Sequence, residues 1–413
     1  MQVASLPDRM PAIDPEHAGL GVPPFGVSRP AVLRTLDRFL TAIVRGVQQR
    51  LSGKHACLKI ALTAVVLSLL ITFPLYEVGP EFQNPTGQAL LWKVQHPLSP
   101  VPAQLKSPAL YQRSAAGGAS HADKLELRLT LPILGWLSRT GRWTVLVWNH
   151  LAAFGTFYLL ASLALAALGD STGSALFVLG LAPTFFGAWF FNDFMVGDGV
   201  AYFLMLLSVA CRLPALAAFS FLAAAFCDER CVLAAPLLIL YLAVRYRQPG
   251  QRSQRNRLCA AIVAGALAWA ILRWWLGQTF HLSMGTTGLM SREILHYHLT
   301  SSLPGPFLEV FKASWTLPVL ALLVLVAYRS WGLMAALLSA FALAIAPAFM
   351  VWDFSRSVAY TFVVLLISLY FLNGDREISR KYLAAILVVN VLLSPPYRSI
   401  LRIVGWALPH TAR

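Results

Sequence analysis

The stretch AAFCDERCVLAAPL, residues 224–237, sets Asp228, Glu229 and Arg230 side by side inside an apolar run. A charge at the centre of a bilayer costs roughly 3 kcal/mol even on lenient insertion scales, so such a triplet implies a hydrated or internally paired site. Other acids gather in similar settings. Glu77 and Glu81 lie in FPLYEVGPEFQNP, Asp193 and Asp198 in FFNDFMVGDGV, and Asp353 with Arg356 in VWDFSRSVAY. Several of these acids sit at expected helix ends, where side chains can point along the membrane into a pocket. A cationic set accompanies them in SHADKLELRLTLPILGWL, residues 120–137. Its spacing predicts a helix in which Leu125, Leu129 and Ile133 share one face, Lys124 and Arg128 a neighbouring one, and His121 sits a turn earlier. Pro132 is expected to bend that helix or end its regular bonding. His, Lys and Arg so arranged suit a phosphate or pyrophosphate clamp, to which Arg292 could add.

Plainer readings exist for each. Asp198 and Asp353 could cap helix N-termini, Glu77 could solvate a loop, and the basic residues could snorkel along a membrane interface. His296 and His298 could bind metal, but i and i+2 point to different helix faces. Cys227 and Cys231 could pair in an oxidising compartment or simply fill space as small apolar residues. The remaining cysteines form no CxxC pair, and no P-loop, HExxH or G-x-S-x-G elbow occurs.

The elements that carry these groups are membrane-like. Of 413 residues, 57% are hydrophobic and 12% charged, against about 25% charged in average soluble domains. The expectation is an all-α, polytopic integral membrane bundle. The net charge of +15 sits in the N-terminal segment and in short loops, which argues against a nucleic-acid partner. Residues 1–30 are Pro- and Gly-rich and are expected to lack order. Residues 31–52 read as a basic amphipathic helix, either on the membrane surface or packed on the protein. Together, residues 1–57 form an N-terminal cytosolic segment, 58–394 the multi-span domain and 395–413 a C-terminal tail.

About eleven spans are expected, near 58–75, 144–168, 175–191, 199–211, 214–227, 231–244, 258–276, 315–328, 332–351, 357–372 and 382–394. Arg212, the run Arg245 to Arg257, Arg329, and Arg376 to Lys381 fall in alternate short loops, so the positive-inside rule places the N-terminus in the cytosol. The segments 76–143 and 277–314 then face outward. The arms on either side of Asp228 have about 14 residues, some 21 Å of helix against a hydrocarbon core of about 30 Å. Their tip is therefore expected in a polar cavity opening outward.

This layout resembles the C-type membrane glycosyltransferases, which use polyprenyl-phosphate sugar donors. The resemblance rests on the first span, Glu77 and Glu81 at the start of a long outer loop, RLTLPILGWL, and the DER hairpin with DERCVLAAPLLILYL, and it covers roughly residues 58–372. It implies sugar transfer on the extracytoplasmic side of a bacterial inner membrane, with membrane lipid and a lipid-linked sugar donor as partners. Glu81 or Glu77 would act as the general base. Lys124, Arg128 and Arg292 would hold phosphate. Asp198, Asp228 and Glu229 would bind sugar, and Arg230 would brace them. The family's tight DxD or ExD pair is missing, since Glu77 and Glu81 are four apart, so no metal cofactor is supported. Other readings of the same residues are a transporter or lipid flippase, a surface polysaccharide polymerase or ligase, and a structural membrane subunit.

Overall fold

The computed structural model describes residues 31–72, 85–102, 126–189, 191, 197–282, 292–300, 304–351, 353–372 and 375–394. All regular structure among them is helical. The expected N-terminal stretch 1–30, the tail 395–413, and much of the loops 76–143 and 277–314 lie outside the described residues.

Helix α1 (Ala31–Leu51) turns Leu40, Ile43, Val44, Val47 and Leu51 toward the protein. It leaves Val32, Leu33, Leu36 and Phe39 exposed, so it packs on the bundle along only part of its apolar surface. Gly53 and His55 adopt left-handed backbone, and the chain swings by 117° into α2 (Ala56–Ile71). Two short helices follow in the first long loop, α3 (Pro85–Gln95) and α4 (Thr130–Ser138), and they pack together.

The helix expected across 120–137 begins only at Thr130. Pro132 therefore occupies its first turn, where the missing N–H has no partner to lose, and does not bend it. Arg128 precedes that helix, so the shared-face spacing with Lys124 does not apply to it.

The bundle centres on two buried helical stretches. In α6 (Ser171–Leu181) every residue after Ser171 is buried. The consecutive α7 (Asp198–Ala210) and α8 (Pro214–Cys227) form a tight hairpin. After a single-turn α9 (Arg230–Leu233), α10 (Ala235–Arg245) returns, the break at Ala234 coming just before Pro236. The long α11 (Arg252–Phe280) crosses α8 so closely that a Cβ on Gly265 would sit 2.8 Å from the Ala218 carbonyl. Helices α12 (Arg292–Thr300), α13 (Pro304–Phe311), α14 (Thr316–Ala327) and α15 (Trp331–Ile345) lead to the second buried stretch. This is α16 (Phe354–Ala359), joined by a 3₁₀ turn to α17 (Val363–Leu369). The last described helix is α18 (Arg376–Leu392). A helix buried on all sides needs apolar residues all round, which these sequences supply.

Among the described residues, four stretches could cross a membrane by length and composition: Gly141–Leu168, Pro249–Phe280, Pro304–Ala327 and Trp331–Phe349. The bent pair α1–α2 would make a fifth if counted as one span. Among the described residues the chain is thus helical with four to five candidate membrane-spanning helices, compatible with an integral membrane protein. Shorter apolar helices occupy other expected spans, namely Ser171–Leu181, Asp198–Ala210, Pro214–Cys227, Ala235–Arg245 and Phe354–Leu369.

The basic connections meet at one end. Gln254 donates to the Arg212 carbonyl at 2.6 Å, and Arg245 donates to the Val209 carbonyl at 2.7 Å. Near α1, Arg380 of α18 makes a two-pronged pair with Asp170, at 2.8 Å for each hydrogen bond.

Candidate functional site

At Asp228 the backbone leaves α8 in an extended conformation (φ −155, ψ 130). Its Oδ1 accepts the Arg230 backbone N–H at 3.0 Å, an Asx-type turn that fixes the carboxylate. Its Oδ2 then faces Arg128 Nη2 at 3.0 Å, Arg356 Nη2 at 3.3 Å and Arg230 Nη1 at 3.6 Å. Asp228 is the hub of the site.

A second carboxylate extends the network. Asp198, the first residue of α7, accepts from Arg356 Nε at 2.6 Å and from Tyr360 Oη at 2.5 Å. Arg356 therefore bridges both acids, and its Nη1 reaches Asp353 at 3.4 Å. Glu229 accepts from Arg128 Nη2 at 3.1 Å and faces Arg273 Nη1 at 3.9 Å. The Arg230 guanidinium lies 6.0 Å from the centre of the Tyr360 ring, and Tyr202 meets that ring edge-on at 4.9 Å. Gly199, next to Asp198, packs against the Phe191 ring, where a Cβ would lie 2.6 Å away.

The four carboxylates Asp198, Asp228, Glu229 and Asp353 face the four guanidinium groups of Arg128, Arg230, Arg273 and Arg356. Burial is graded across the set. Asp198 and Asp228 are closed off at 1% exposure, whereas the side chains of Glu229 and Asp353 keep 26% and 51%. Deep charges of this kind persist only when paired and hydrogen-bonded. The accessible edge therefore runs along Glu229 and Asp353.

Packing in the first loop fixes the approach of Arg128. Glu126, two residues before it, is buried and accepts the Val101 backbone N–H at 2.8 Å. Beside it, Lys93 donates to the Pro97 and Ser99 carbonyls at 2.6 and 3.1 Å. Burial pulls the Lys93 ammonium down to about 8, an effect that Glu126 opposes. Thr130 at the start of α4 donates to the Ala223 carbonyl of α8 at 2.7 Å. These contacts hold the lead-in to α4 against the tip of α8, which brings Arg128 onto Asp228.

Of the expected site residues, the structure joins Arg128, Asp198, Asp228, Glu229, Arg230, Asp353 and Arg356 in one network. Glu77, Glu81, His121, Lys124 and Asp193 lie outside the described residues. Arg292 begins α12, a helix whose backbone alone is described at that position. Neither Asp198 nor Asp353 makes a side-chain cap bond, because both carboxylates turn to Arg356.

Cys227 and Cys231 are both free and buried, the latter donating to the Ala224 carbonyl at 3.3 Å. His298 donates from Nε2 to the Val351 carbonyl at 2.8 Å while His296 is exposed, so the two imidazoles do not converge. Arg273, Tyr360 and Tyr202 were not singled out by sequence. A lone arginine inside the apolar run AWAILRWWLG was the available signal for the first. The tyrosines carried none.

Compared with known proteins, the chain matches no family model, no curated protein and no solved structure. Function therefore has to be argued from the site. Chemically, the arrangement can hold an anion against several guanidinium groups and can offer carboxylates to hydroxyls along its accessible edge.

Proposed function

We propose that the chain is a polytopic membrane glycosyltransferase of the C-type fold, moving a sugar from a polyprenyl-phosphate donor to an acceptor on the extracytoplasmic side. The observation that carries this reading is Asp228, a buried carboxylate meeting guanidinium groups from three separate segments at the end of a 14-residue helix. Arginines and acids gathered at helix ends inside an apolar body are the parts needed to hold a phosphoryl group and order sugar hydroxyls. In this reading about eleven crossings start from a cytosolic N-terminus in a bacterial inner membrane, the short helices serving as partial crossings around the site. Irregular backbone at membrane depth is tolerated where it is buried in protein.

Arg128, with His121, Lys124 and Arg292, would face the donor phosphate. Asp193, Asp198, Asp228, Glu229, Asp353 and Arg356 would order the sugar, and Arg230 would brace the leaving phosphate. Glu81 or Glu77 would take the proton of the acceptor hydroxyl as its oxygen bonds to the anomeric carbon. The bond from that carbon to the phosphate oxygen breaks, and the lipid phosphate leaves. A positioned base of this kind contributes about 10²–10⁴-fold. Membrane vesicles carrying Glu81→Ala or Glu77→Ala should lose transfer of labelled sugar from lipid phosphate by about that factor while the protein remains folded. Full transfer in both variants would sink the assignment.

One feature favours a second reading, a transporter or lipid flippase. Several short helices end at a polar site within the bundle, as discontinuous helices do around transported solutes. Proteoliposomes that move a lipid phosphate across the bilayer without transferring sugar would select it.

A further inference from the structure

Helix α1 carries one apolar stripe that meets two different surroundings. Val32, Leu36, Phe39, Ile43 and Val47 follow at intervals of three and four, with Leu33, Leu40 and Leu51 beside them, so they share a face along the helix. The second half of that face, from Leu40 to Leu51, packs on the bundle. The first half does not, and Val32, Leu33, Leu36 and Phe39 are 49–77% exposed. A contiguous exposed apolar run marks a surface that something covers.

The polar side is equally one-sided. Arg34, Arg38 and Arg45 fall together on the opposite face, all exposed and without an ion pair among the described residues. The one acid of the helix, Asp37, is engaged by Lys381 near the start of α18 at 2.8 Å. The direction of α1 says what it faces. It meets α2 at 117°, closer to a right angle than to a straight run or a reversal. Helix α2 shows Leu58, Leu62, Val66 and Leu70 outward at intervals of four, the stripe of a helix that meets lipid chains. With α2 crossing the bilayer, α1 lies near its plane, resting on α6 and α18.

We infer that the first half of α1, residues 31–40, is a docking face for anionic phospholipid of the surrounding bilayer. Its four apolar side chains enter the boundary between headgroups and acyl chains, and Arg34 and Arg38 hold headgroup phosphates. An interfacial helix binds through buried apolar area together with attraction of its basic residues to anionic lipid, and α1 supplies both. Guanidinium groups suit phosphate oxygens because they donate in pairs. A second copy of the chain is the poorer occupant, since two such faces would set arginine against arginine.

The inference does not depend on sugar transfer or on which side of the membrane the N-terminus lies, because nanodiscs expose both faces. Full-length protein lacking its five cysteines receives a spin label at a single new cysteine, Leu33→Cys or Leu36→Cys, with Ala42→Cys on the arginine side as control. It is placed in nanodiscs of phosphatidylcholine, with or without phosphatidylglycerol. Collisions with oxygen, which concentrates in lipid, are compared with collisions with a water-soluble nickel chelate. With phosphatidylglycerol present, labels at 33 and 36 should favour oxygen and the label at 42 should favour nickel. Arg34→Gln and Arg38→Gln should each lower the ratio of immersed to free label about fivefold. High salt should have the same effect in the parent protein. Labels at 33 and 36 that favour nickel in both lipids would overturn the inference. So would labels that neither reagent reaches, which would mean a protein cover, and so would immersion that is equal in both lipids and indifferent to the arginine variants.

Discussion

Asp228 and Asp353 are both carboxylates paired with Arg356, yet their environments give them different weights. Removing one partner of a buried ion pair typically costs about 3–5 kcal/mol, because the other charge is left stranded. Asp228→Ala would leave Arg128 with Glu229, Arg356 with Asp198 and Asp353, and Arg230 without its facing carboxylate. It should therefore lower the thermal midpoint of detergent-solubilised protein strongly. Asp353 is half exposed and holds Arg356 at 3.4 Å, so Asp353→Asn should cost no more than about 1 kcal/mol. Equal losses in the two variants would mean that the hub is hydrated. The charges were legible in the sequence, since Asp228, Arg230 and Arg356 stand in apolar surroundings. Their pairing was not, because it joins residues 128, 198, 228 and 356 across segments that no local spacing relates. Tyr360 was invisible for a simpler reason: a tyrosine in an apolar helix looks like any other aromatic until its hydroxyl has a partner.

Among the elements, the crossing of α8 and α11 sets the register that brings Arg273 to Glu229. It depends on the small residue at its closest point. Gly265→Ala would place a methyl group 2.8 Å from a backbone carbonyl that cannot rotate away, so the helices must part. Overpacking of this sort costs about 1–3 kcal/mol. Gly46→Ala is the control, because nothing lies within 4 Å of that position on α1. It should be neutral or stabilising by up to about 1 kcal/mol, since alanine is the better helix former. An unchanged midpoint for Gly265→Ala would show that the two helices do not meet closely at that point.

The junction of α5 (Thr144–Leu168) and α6 makes a second prediction. Gly169 ends one helix in left-handed backbone, and Asp170 caps the next through Thr172 and Gly173 while pairing with Arg380. Burial pushes the Asp170 carboxyl up, but Arg380 and those amide groups outweigh it and hold it below its usual value. A carboxylate whose folded value is depressed lends stability above its unfolded value of about 3.9, and that contribution is lost as pH falls through the folded value. The stability difference between wild type and Asp170→Asn should be flat above about pH 5 and shrink toward zero in more acid solution. A difference independent of pH would remove the carboxylate from the account. The bounds of α5 and of the 214–227 arm were plain in the sequence. The start of α4 was not, because Leu125, Leu129 and Ile133 have helical spacing whether or not the turn before Thr130 is formed.

At the scale of the whole molecule, α11 acts as a ruler. From Arg255 in the first turn of α11 to Arg273 at the network is eighteen residues, about 27 Å of helix and close to the thickness of a hydrocarbon core. The basic connections Arg212, Arg245 and Gln254 gather at the first end. The positive-inside rule would put that end in the cytosol and the network at the opposite boundary. Composition and charge made this orientation legible as an expectation, while the number of crossings was not. Several apolar runs fold into helices of 11–16 residues that share the interior with longer neighbours, and hydropathy alone does not separate a buried core helix from a span. Thiol labelling decides the orientation. In a background with Cys57, Cys211, Cys227, Cys231 and Cys259 replaced, single cysteines at 353 and 255 are treated in intact cells with a membrane-impermeant maleimide. Position 353 is chosen because its side chain is the most accessible of the network acids. It should react from outside, while 255 should react only after the cells are permeabilised. The reverse pattern would place the network in the cytosol, where an extracytoplasmic transfer reaction has no access to it, and the bundle would have to be read with its N-terminus outside.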